Sequence, residues 1–147
     1  LIDTIDIKDI NVRLLRNKIA LLPQKVETLS GTIESFITTD GKFDEEFLKI
    51  REYEIDDVIS KKGKFFEIKR NGENLSGGEK QRLYLSRILA NNYDFYIFDE
   101  FESSQDHINK NKLKNIVQKL KENNKGVIIV THNNEFDNIA DKILCLN

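Results

Sequence analysis

Short apolar runs and helical apolar patterns alternate along the chain, and together they predict an α/β fold. Two near-continuous apolar runs lie at residues 95–98 and 127–130, and a third lies at residues 19–22, directly before the only proline. Runs of this length that are rich in β-branched and aromatic residues favour buried parallel strands. Between the last two runs, apolar residues recur at helical spacing, at Leu113, Ile116, Val117 and Leu120. The pattern therefore predicts a strand–helix–strand unit in a parallel sheet.

The other patterns predict shorter elements. Residues 1–10 are typical of a strand followed by a turn, and Asn11 is placed to cap a short helix that contains two leucines. A second short helix is predicted to begin after residues 31–32 and to end near residues 38–39. Residues 43–60 fit a helical region better than a strand, because their apolar side chains do not alternate.

A polar helical segment therefore interrupts the sheet-forming parts of the chain. We expect residues 1–24 and 91–147 to form a parallel-sheet core, and residues 25–90 to form an inserted helical subdomain. A further helix of that subdomain should follow Gly78, because several apolar residues beyond it share one face. They are Leu85, Ile88 and Leu89.

The amino-acid composition does not alter the predicted fold. Of the 147 residues, 39% are hydrophobic and 33% charged, which is ordinary for a soluble protein. The net charge of −2 gives no field that favours nucleic acid, so we expect no nucleic-acid partner. No apolar run approaches the roughly 20 residues that span a bilayer, and no signal-peptide pattern opens the chain. The single Cys145 excludes an internal disulfide, and its apolar neighbours predict an inert, buried thiol in a reducing compartment.

A serine and two glycines, Ser76, Gly77 and Gly78, lie directly ahead of this helical pattern. Unpaired backbone N–H groups at a helix start can bind an anion such as phosphate. The chain nevertheless contains no G-x-x-x-x-G-K-[ST] loop, since its Gly-Lys pairs at residues 41–42 and 63–64 are each followed by phenylalanine. The serine has a simpler interpretation as a helix N-cap.

Polar side chains follow each of the three predicted core strands. They are Gln24 after the first, Asp99 and Glu100 at the end of the second, and His132 after the third. Ligands bind at the carboxyl ends of such strands. An aspartate there can hold Mg²⁺, a glutamate can orient water, and a histidine can contact a phosphate. Each residue alone also fits a turn, a helix cap or a strand end, and we interpret His107 as solvated surface.

Taken in order, these motifs resemble those of the ATP-binding cassette (ABC) ATPases. LSGGEKQR at residues 75–82 is similar to the family signature, and FYIFDE at 95–100 to its Walker B strand with the adjoining glutamate. SSQD at 103–106 resembles the D-loop, VTH at 130–132 the switch histidine, and LLPQ at 21–24 the Q-loop. Five ordered motifs make the resemblance specific, and it covers nearly the whole chain.

The resemblance implies a P-loop NTPase-like sheet core with an inserted helical subdomain. The domain would be incomplete, because the family's P-loop and adenine-stacking residue lie upstream of Leu1. It implies ATP and Mg²⁺ as cofactors, with Glu100 and His132 as catalytic residues and with Gln24 and Asp99 at the metal. The residues implied to contact the nucleotide are Gln24, Ser76, Gly77, Gly78, Asp99 and Asp106.

The resemblance also implies partners. In this family two nucleotide-binding domains pair head to tail, so the signature would bind the γ-phosphate of ATP held by the other domain. Residues 6–24 and 31–37 are similar to the exporter branch, which implies a transmembrane domain and a place at the cytoplasmic face of a membrane. Glu67 resembles the loop that meets the membrane domain, although an exposed strand charge explains it equally well. The D-loop departs from the family at Gln105, where a leucine is usual.

Three hypotheses follow. The first is the ATPase domain of an exporter-type ABC transporter, inactive as an isolated segment. The second is a soluble ABC-type ATPase of chromosome maintenance or repair, which is disfavoured because the 52 residues from Gln24 to Ser76 hold no sustained heptads. The third is a non-catalytic fragment, which the missing P-loop favours and the presence of Glu100 and His132 opposes.

Overall fold

Three parallel strands form the larger sheet of the described structure. The computed structural model describes residues 4–27, 30–38, 42–100 and 110–145. The strands are β1 (Ile19–Leu22), β4 (Phe95–Asp99) and β5 (Gly126–Val130), and their order in the sheet is β1-β4-β5. In register, Leu22 pairs with Phe98 and Asp99 pairs with Val130. The predicted parallel sheet is confirmed, with β4 at its centre.

Helices and one small sheet make up the rest of the described structure. The helix α6 (Lys110–Glu122) lies between β4 and β5 in the chain, which confirms the strand–helix–strand unit. The other helices are α1 (Val12–Arg16), α2 (Ile33–Ile37), α3 (Phe43–Glu52), α4 (Asp57–Lys62) and α5 (Gly77–Ala90). The strands β2 (Gly31–Thr32) and β3 (Glu67–Ile68) pair antiparallel.

The start of the chain contains the predicted turn and the predicted short helix. Asn11 caps α1 as expected, since its side-chain oxygen accepts the N–H of Arg13 at 2.9 Å. The strand predicted before it begins at residues 1–3, which lie outside the described residues, and the turn predicted after it is present as a 3₁₀ turn at residues 7–9. The carboxylate of Asp6 accepts the N–H of Lys8 at 2.9 Å, and this local bond stabilises the turn.

The helical region predicted at residues 43–60 is present as two helices. α3 ends at Glu52, and α4 begins at Asp57. Between them Glu54 adopts a φ of 58°, in the left-handed region that a right-handed helix cannot include. The backbone therefore turns between two short helices that share the same apolar core.

One hydrophobic core joins the sheet to the helices. Leu22 and Phe98 of the sheet are completely buried, and they belong to the same cluster as Ile50 of α3 and Leu83 of α5. α5 contacts β1, and α6 contacts β5. The two sequence regions that we expected to be separate subdomains are thus packed on a continuous interior. The expected boundaries themselves remain a prediction.

The sheet is covered on one face only, within the described residues. Side chains alternate between the faces of a strand, so Leu22 points into the core while Leu21 points away from it. Leu21, Ile128 and Val130 are 50%, 55% and 45% exposed. The prediction of strands buried on both sides is therefore wrong for this face, because α5 and α6 cover the other one.

The apolar end of the chain is also exposed. Ile143 and Leu144 are 54% and 76% exposed, and Cys145 is exposed as well. The predicted burial of Cys145 is wrong, because no described element covers this segment and an apolar composition alone does not bury a chain.

Two further observations concern the sequence predictions. The segment similar to the D-loop, with Gln105 and Asp106, lies outside the described residues, and so does His107. Among the helices that the structure describes, none has both the length and the apolar character needed to cross a bilayer.

Candidate functional site at the carboxyl edge of the sheet

Glu100 joins Gln24 and His132 in a hydrogen-bonded cluster. Gln24 donates from Nε2 to one carboxylate oxygen of Glu100, and His132 Nε2 is hydrogen-bonded to the other. Glu100 directly follows β4, and each of the other two residues follows its own strand by two positions. Because the three strands are parallel neighbours, their carboxyl ends bring these side chains to one edge of the sheet.

The backbone fixes Glu100 at this position. Its N–H donates to the carbonyl oxygen of Val130 at 2.9 Å, across to the end of β5. Its φ is 44°, a left-handed conformation that costs a residue other than glycine about 1–3 kcal/mol. Such strain persists when surrounding structure holds it in place, and here the sheet does so. The turn directs the glutamate toward the side chains that follow β1 and β5.

The exposure of the cluster is uneven. The side chain of Glu100 is 25% exposed, whereas that of His132 is 85% exposed. The carboxylate is thus seated in the edge of the sheet, and the imidazole lies over it toward solvent. A ligand that approaches this edge meets the histidine first and reaches the carboxylate behind it.

Asp99 is the last residue of β4. Its carboxylate and the amide oxygen of Gln24 are oxygen donors, which are the ligands that Mg²⁺ prefers. Among the described residues, no group of three or more histidine, cysteine, aspartate or glutamate side chains is arranged to hold a metal ion. This donor set suits Mg²⁺, which in phosphoryl-transfer sites takes one or two protein ligands and completes its shell with phosphate and water. The chemistry of the edge therefore fits a magnesium ion bound together with a nucleotide.

Ser76 caps α5 in a reciprocal arrangement. Its hydroxyl oxygen accepts the N–H of Glu79 at 3.2 Å, and the carboxylate of Glu79 accepts the N–H of Ser76 at 2.9 Å. This is a capping box, so the interpretation of Ser76 as an N-cap is confirmed. A hydroxyl that accepts one hydrogen bond still has its own O–H to donate. The cap therefore leaves Ser76 able to contact an anion.

Gly77 is exposed, and its own chain does not require a glycine there. A Cβ atom added at Gly77 would meet nothing within 4 Å. Gly78, by contrast, is buried. The first residue of α5 therefore presents open backbone to the outside, where a second molecule can approach it closely.

Glu79 carries a second interaction that sequence patterns did not reveal. Its carboxylate lies 3.1 Å from the ammonium nitrogen of Lys62, the last residue of α4. Burial raises the pKa of Glu79, but the hydrogen bond from the Ser76 amide and the nearby ammonium outweigh it, so the pKa lies below its ordinary value. The S-x-x-E spacing from Ser76 to Glu79 is a sequence signal for the capping box, whereas nothing in the sequence indicates Lys62.

The loop before the signature is held by Asn74. Its side-chain amide donates to the carbonyl oxygen of Glu67 at 2.8 Å, and its side-chain oxygen accepts the N–H of Lys69 at 3.0 Å. The ammonium of Lys80 in α5 donates to the carbonyl oxygen of Asn71 at 2.9 Å. Glu67 itself is an exposed residue of β3. The loop that carries Glu67 is therefore joined to the first turns of α5.

Comparisons with known proteins place this geometry in context. The sequence model of a family described as "ABC transporter" matches residues 1–103. The energy-coupling factor transporter ATP-binding protein EcfA1 of Mycoplasma pneumoniae is 33% identical over 142 residues, which cover 93% of this chain and 51% of that protein. The mitochondrial iron-sulfur clusters transporter atm1 of Aspergillus fumigatus is 31% identical over 152 residues, which cover 99% of this chain and 21% of that protein.

One solved structure and a further sequence relative agree with these similarities. A bacterial Atm1-family ABC exporter with ATP bound superposes with a TM-score of 0.77 at 26% identity, covering 96% of this chain and 25% of that one. The lactococcin-G-processing and transport ATP-binding protein LagD of Lactococcus lactis is 30% identical, and 97% of this chain matches 21% of it. The chain thus spans about half the length of EcfA1 and about a fifth of the other two relatives. The expected α/β core of the P-loop NTPase type is confirmed.

Proposed function

The chain belongs to the ABC transporter family, whose ATP-binding domains are ATPases, and we propose that the complete protein hydrolyses ATP to move a substrate across a membrane. The observation that carries the proposal is Glu100, held between Gln24 and His132 at the carboxyl edge of the sheet. A carboxylate seated between an amide and an imidazole is suited to the in-line attack of water on a phosphate.

Each residue of the cluster has a distinct role. Glu100 accepts a hydrogen bond from the attacking water and polarises it, while the amide of Gln24 keeps the carboxylate oriented. His132, the most exposed member, donates a hydrogen bond to the γ-phosphate. Asp99 and Gln24 would hold Mg²⁺, which neutralises phosphate charge when it is bound. The chain's own contribution is therefore the placement of water and of the terminal phosphate.

The signature serves a different nucleotide in this proposal. Ser76 and the amides of Gly77 and Gly78 bind the γ-phosphate of ATP held by a second domain, in a head-to-tail dimer. The open space around Gly77 supports this arrangement, because it lets a second molecule reach the start of α5. The Ser76 hydroxyl supports it as well, since a hydroxyl can rotate to donate its proton to the phosphate while its oxygen caps the helix.

We also propose an exporter-type transporter with a transmembrane domain, placed at the cytoplasmic face of a membrane. The support is the similarity to an Atm1-family exporter and to LagD, together with residues 6–24 and 31–37 of the sequence. The loop that carries Glu67 would contact the membrane domain. Asn74 holds this loop together, and the bond from Lys80 of α5 to Asn71 would pass that contact to the signature. In the same proposal, residues 1–24 and 91–147 form the core and residues 25–90 the helical subdomain.

The in-trans role of the signature is tested by substituting Gly77 in the complete protein. Gly77→Asp places a carboxylate where the partner's phosphate must lie, so charge repulsion should prevent the dimer from closing. Gly77→Ala is the matched control, because a Cβ at this position meets nothing in its own chain. We expect Gly77→Asp to retain ATP binding in the monomer and to lose ATP occlusion in the dimer.

A mixture of two variants of the complete protein completes the test. A dimer of one Gly77→Asp subunit and one subunit with a defective P-loop holds one site whose two halves are intact. Differently tagged copies of the two variants should form heterodimers that occlude ATP, which neither variant does alone. If Gly77→Asp removed ATP binding from the monomer, the signature would serve its own nucleotide, and the head-to-tail proposal would be wrong.

A further inference from the structure

Lys62 lies at the start of α5 although it belongs to another helix. Its ammonium nitrogen is 3.1 Å from one carboxylate oxygen of Glu79. The other oxygen of that carboxylate accepts the N–H of Ser76 at 2.9 Å. A single carboxylate therefore connects the end of α4 to the first residue of the phosphate-binding stretch.

The ion pair is largely shielded from water. The side chains of Lys62 and Glu79 are 20% and 17% exposed, and the ammonium also lies 4.7 Å from the centre of the Phe66 ring. Charges shielded in this way are weakly screened by salt. Removal of one partner leaves the other charge buried and uncompensated, which is strongly unfavourable.

The charge of Glu79 conflicts with phosphate binding unless it is compensated. The carboxylate contacts the N–H of Ser76, within a few ångströms of where a phosphate would bind. The two cations that follow on α5 have other partners. Lys80 donates to the carbonyl oxygen of Asn71, and Arg82 lies 3.1 Å from Asp57. Lys62 is the cation that the structure places on Glu79 itself.

We propose that Lys62 is a positioning residue for the signature, which neutralises Glu79 and so allows the start of α5 to bind the terminal phosphate of a nucleoside triphosphate held by a second domain. The inference rests on the proposed function of Ser76, Gly77 and Gly78. Lys62 acts through Glu79 and does not itself touch the phosphate. Its effect is electrostatic, so it depends on the charge of Glu79 and not on the volume of either side chain.

The test uses the complete protein in a Glu100→Gln background, with Mg-ATP as the probe and ATP-dependent dimer closure as the readout. Lys62→Met should raise the ATP concentration needed for closure about 10- to 100-fold, the order expected for an uncompensated like charge nearby. Lys62→Met combined with Glu79→Gln should return it to within about threefold of the parent, because the amide keeps the capping oxygen and removes the charge. Lys62→Arg should close like the parent.

A matched control is available on the same pair of helices. Asp57→Asn breaks the other ion pair between α4 and α5, the one with Arg82, without altering the charge at Ser76. It should leave the ATP requirement unchanged. Glu79→Gln alone should close at a lower ATP concentration than the parent, because it leaves the ammonium of Lys62 uncompensated beside the phosphate. An unchanged or higher requirement would contradict the electrostatic inference even if Lys62→Met is too unstable to purify.

The outcomes separate this inference from the function on which it rests. If the parent closes with ATP and Lys62→Met closes equally well, Lys62 has no positioning role, while the proposed function stands. If the double variant remains as impaired as Lys62→Met, the effect is loss of packing, and the electrostatic inference is wrong. If the parent itself does not close with ATP, the proposed function fails, and this inference fails with it.

Discussion

Replacement of Glu100 by glutamine separates the charge of this side chain from its shape. In the structure one carboxylate oxygen accepts from Gln24 and the other is hydrogen-bonded to His132. An amide of the same shape keeps one carbonyl oxygen for Gln24 and turns its NH₂ group toward the imidazole. The cluster should therefore keep its geometry in Glu100→Gln. What it loses is the negative charge that we propose polarises water.

The expected size of the effect follows from this loss. General-base catalysis by a positioned side chain typically contributes about 100- to 10,000-fold. At about 1.4 kcal/mol for each tenfold change, the barrier to hydrolysis should rise by about 3–5 kcal/mol. The strained φ of 44° belongs to the backbone, and the substitution does not change it. We therefore expect the stability of the fold to change by less than about 1 kcal/mol.

The assay is steady-state ATP hydrolysis by the complete protein, together with ATP binding measured at equilibrium. Asp94→Asn is a suitable control, because it removes a carboxylate at the opposite end of the same strand. Asp94 lies 2.7 Å from the ammonium of Lys18, far from the carboxyl edge, and its loss should change hydrolysis by less than about twofold. If Glu100→Gln bound ATP normally and hydrolysed it within about threefold of the parent rate, Glu100 would not be the residue that activates water.

Two further predictions concern the chain as it stands. The isolated 147 residues should not bind Mg-ATP at micromolar concentrations in a calorimeter, because the sequence has no P-loop to supply backbone and lysine contacts to the phosphates; micromolar binding would contradict this. Burial raises the pKa of Tyr96 to about 12, so the folded protein keeps a proton that the unfolded chain releases near pH 10. The contribution of Tyr96 to the free energy of unfolding is therefore fully present below pH 10. It is lost as the pH rises toward 12, at up to about 1.4 kcal/mol per pH unit. In Tyr96→Phe this decrease in the free energy of unfolding between pH 10 and pH 12, measured by denaturant unfolding, should be absent. If the free energy of unfolding fell with pH as steeply as in the parent, the assignment to Tyr96 would be refuted.

The elements that could be predicted from sequence are those specified by local chemistry. β4 and β5 are short β-rich apolar runs, and a helical pattern between them requires a crossover, so their parallel arrangement follows. The start of α5 could be predicted because Ser76 and Glu79 have the spacing of a capping box. The residues at the carboxyl edge could be predicted because strand order and direction decide which chain positions meet.

Features that depend on packing could not be predicted. The apolar pattern of β5 gives the same signal at Ile128 as at Ile129, yet the described residues cover only one face of the sheet. The left-handed φ of Glu100 has no local signal, since it depends on a hydrogen bond to a neighbouring strand. The pairing of Lys62 with Glu79 depends on how α4 lies against α5, and sequence spacing does not encode that arrangement.

The place of β4 in the sheet affects how the carboxyl edge responds to thermal motion. Within the described residues, β4 is hydrogen-bonded on both sides, whereas β1 and β5 pair through one side each. Local opening of an outer strand breaks one ladder, and opening of β4 breaks two, so β4 should exchange its amide hydrogens with solvent most slowly. Gln24 and His132 follow the outer strands, and Glu100 follows the central one. Local opening of one outer strand can therefore separate Gln24 or His132 from Glu100 without moving the other. Glu100 itself stays on β4, the strand that should open least often.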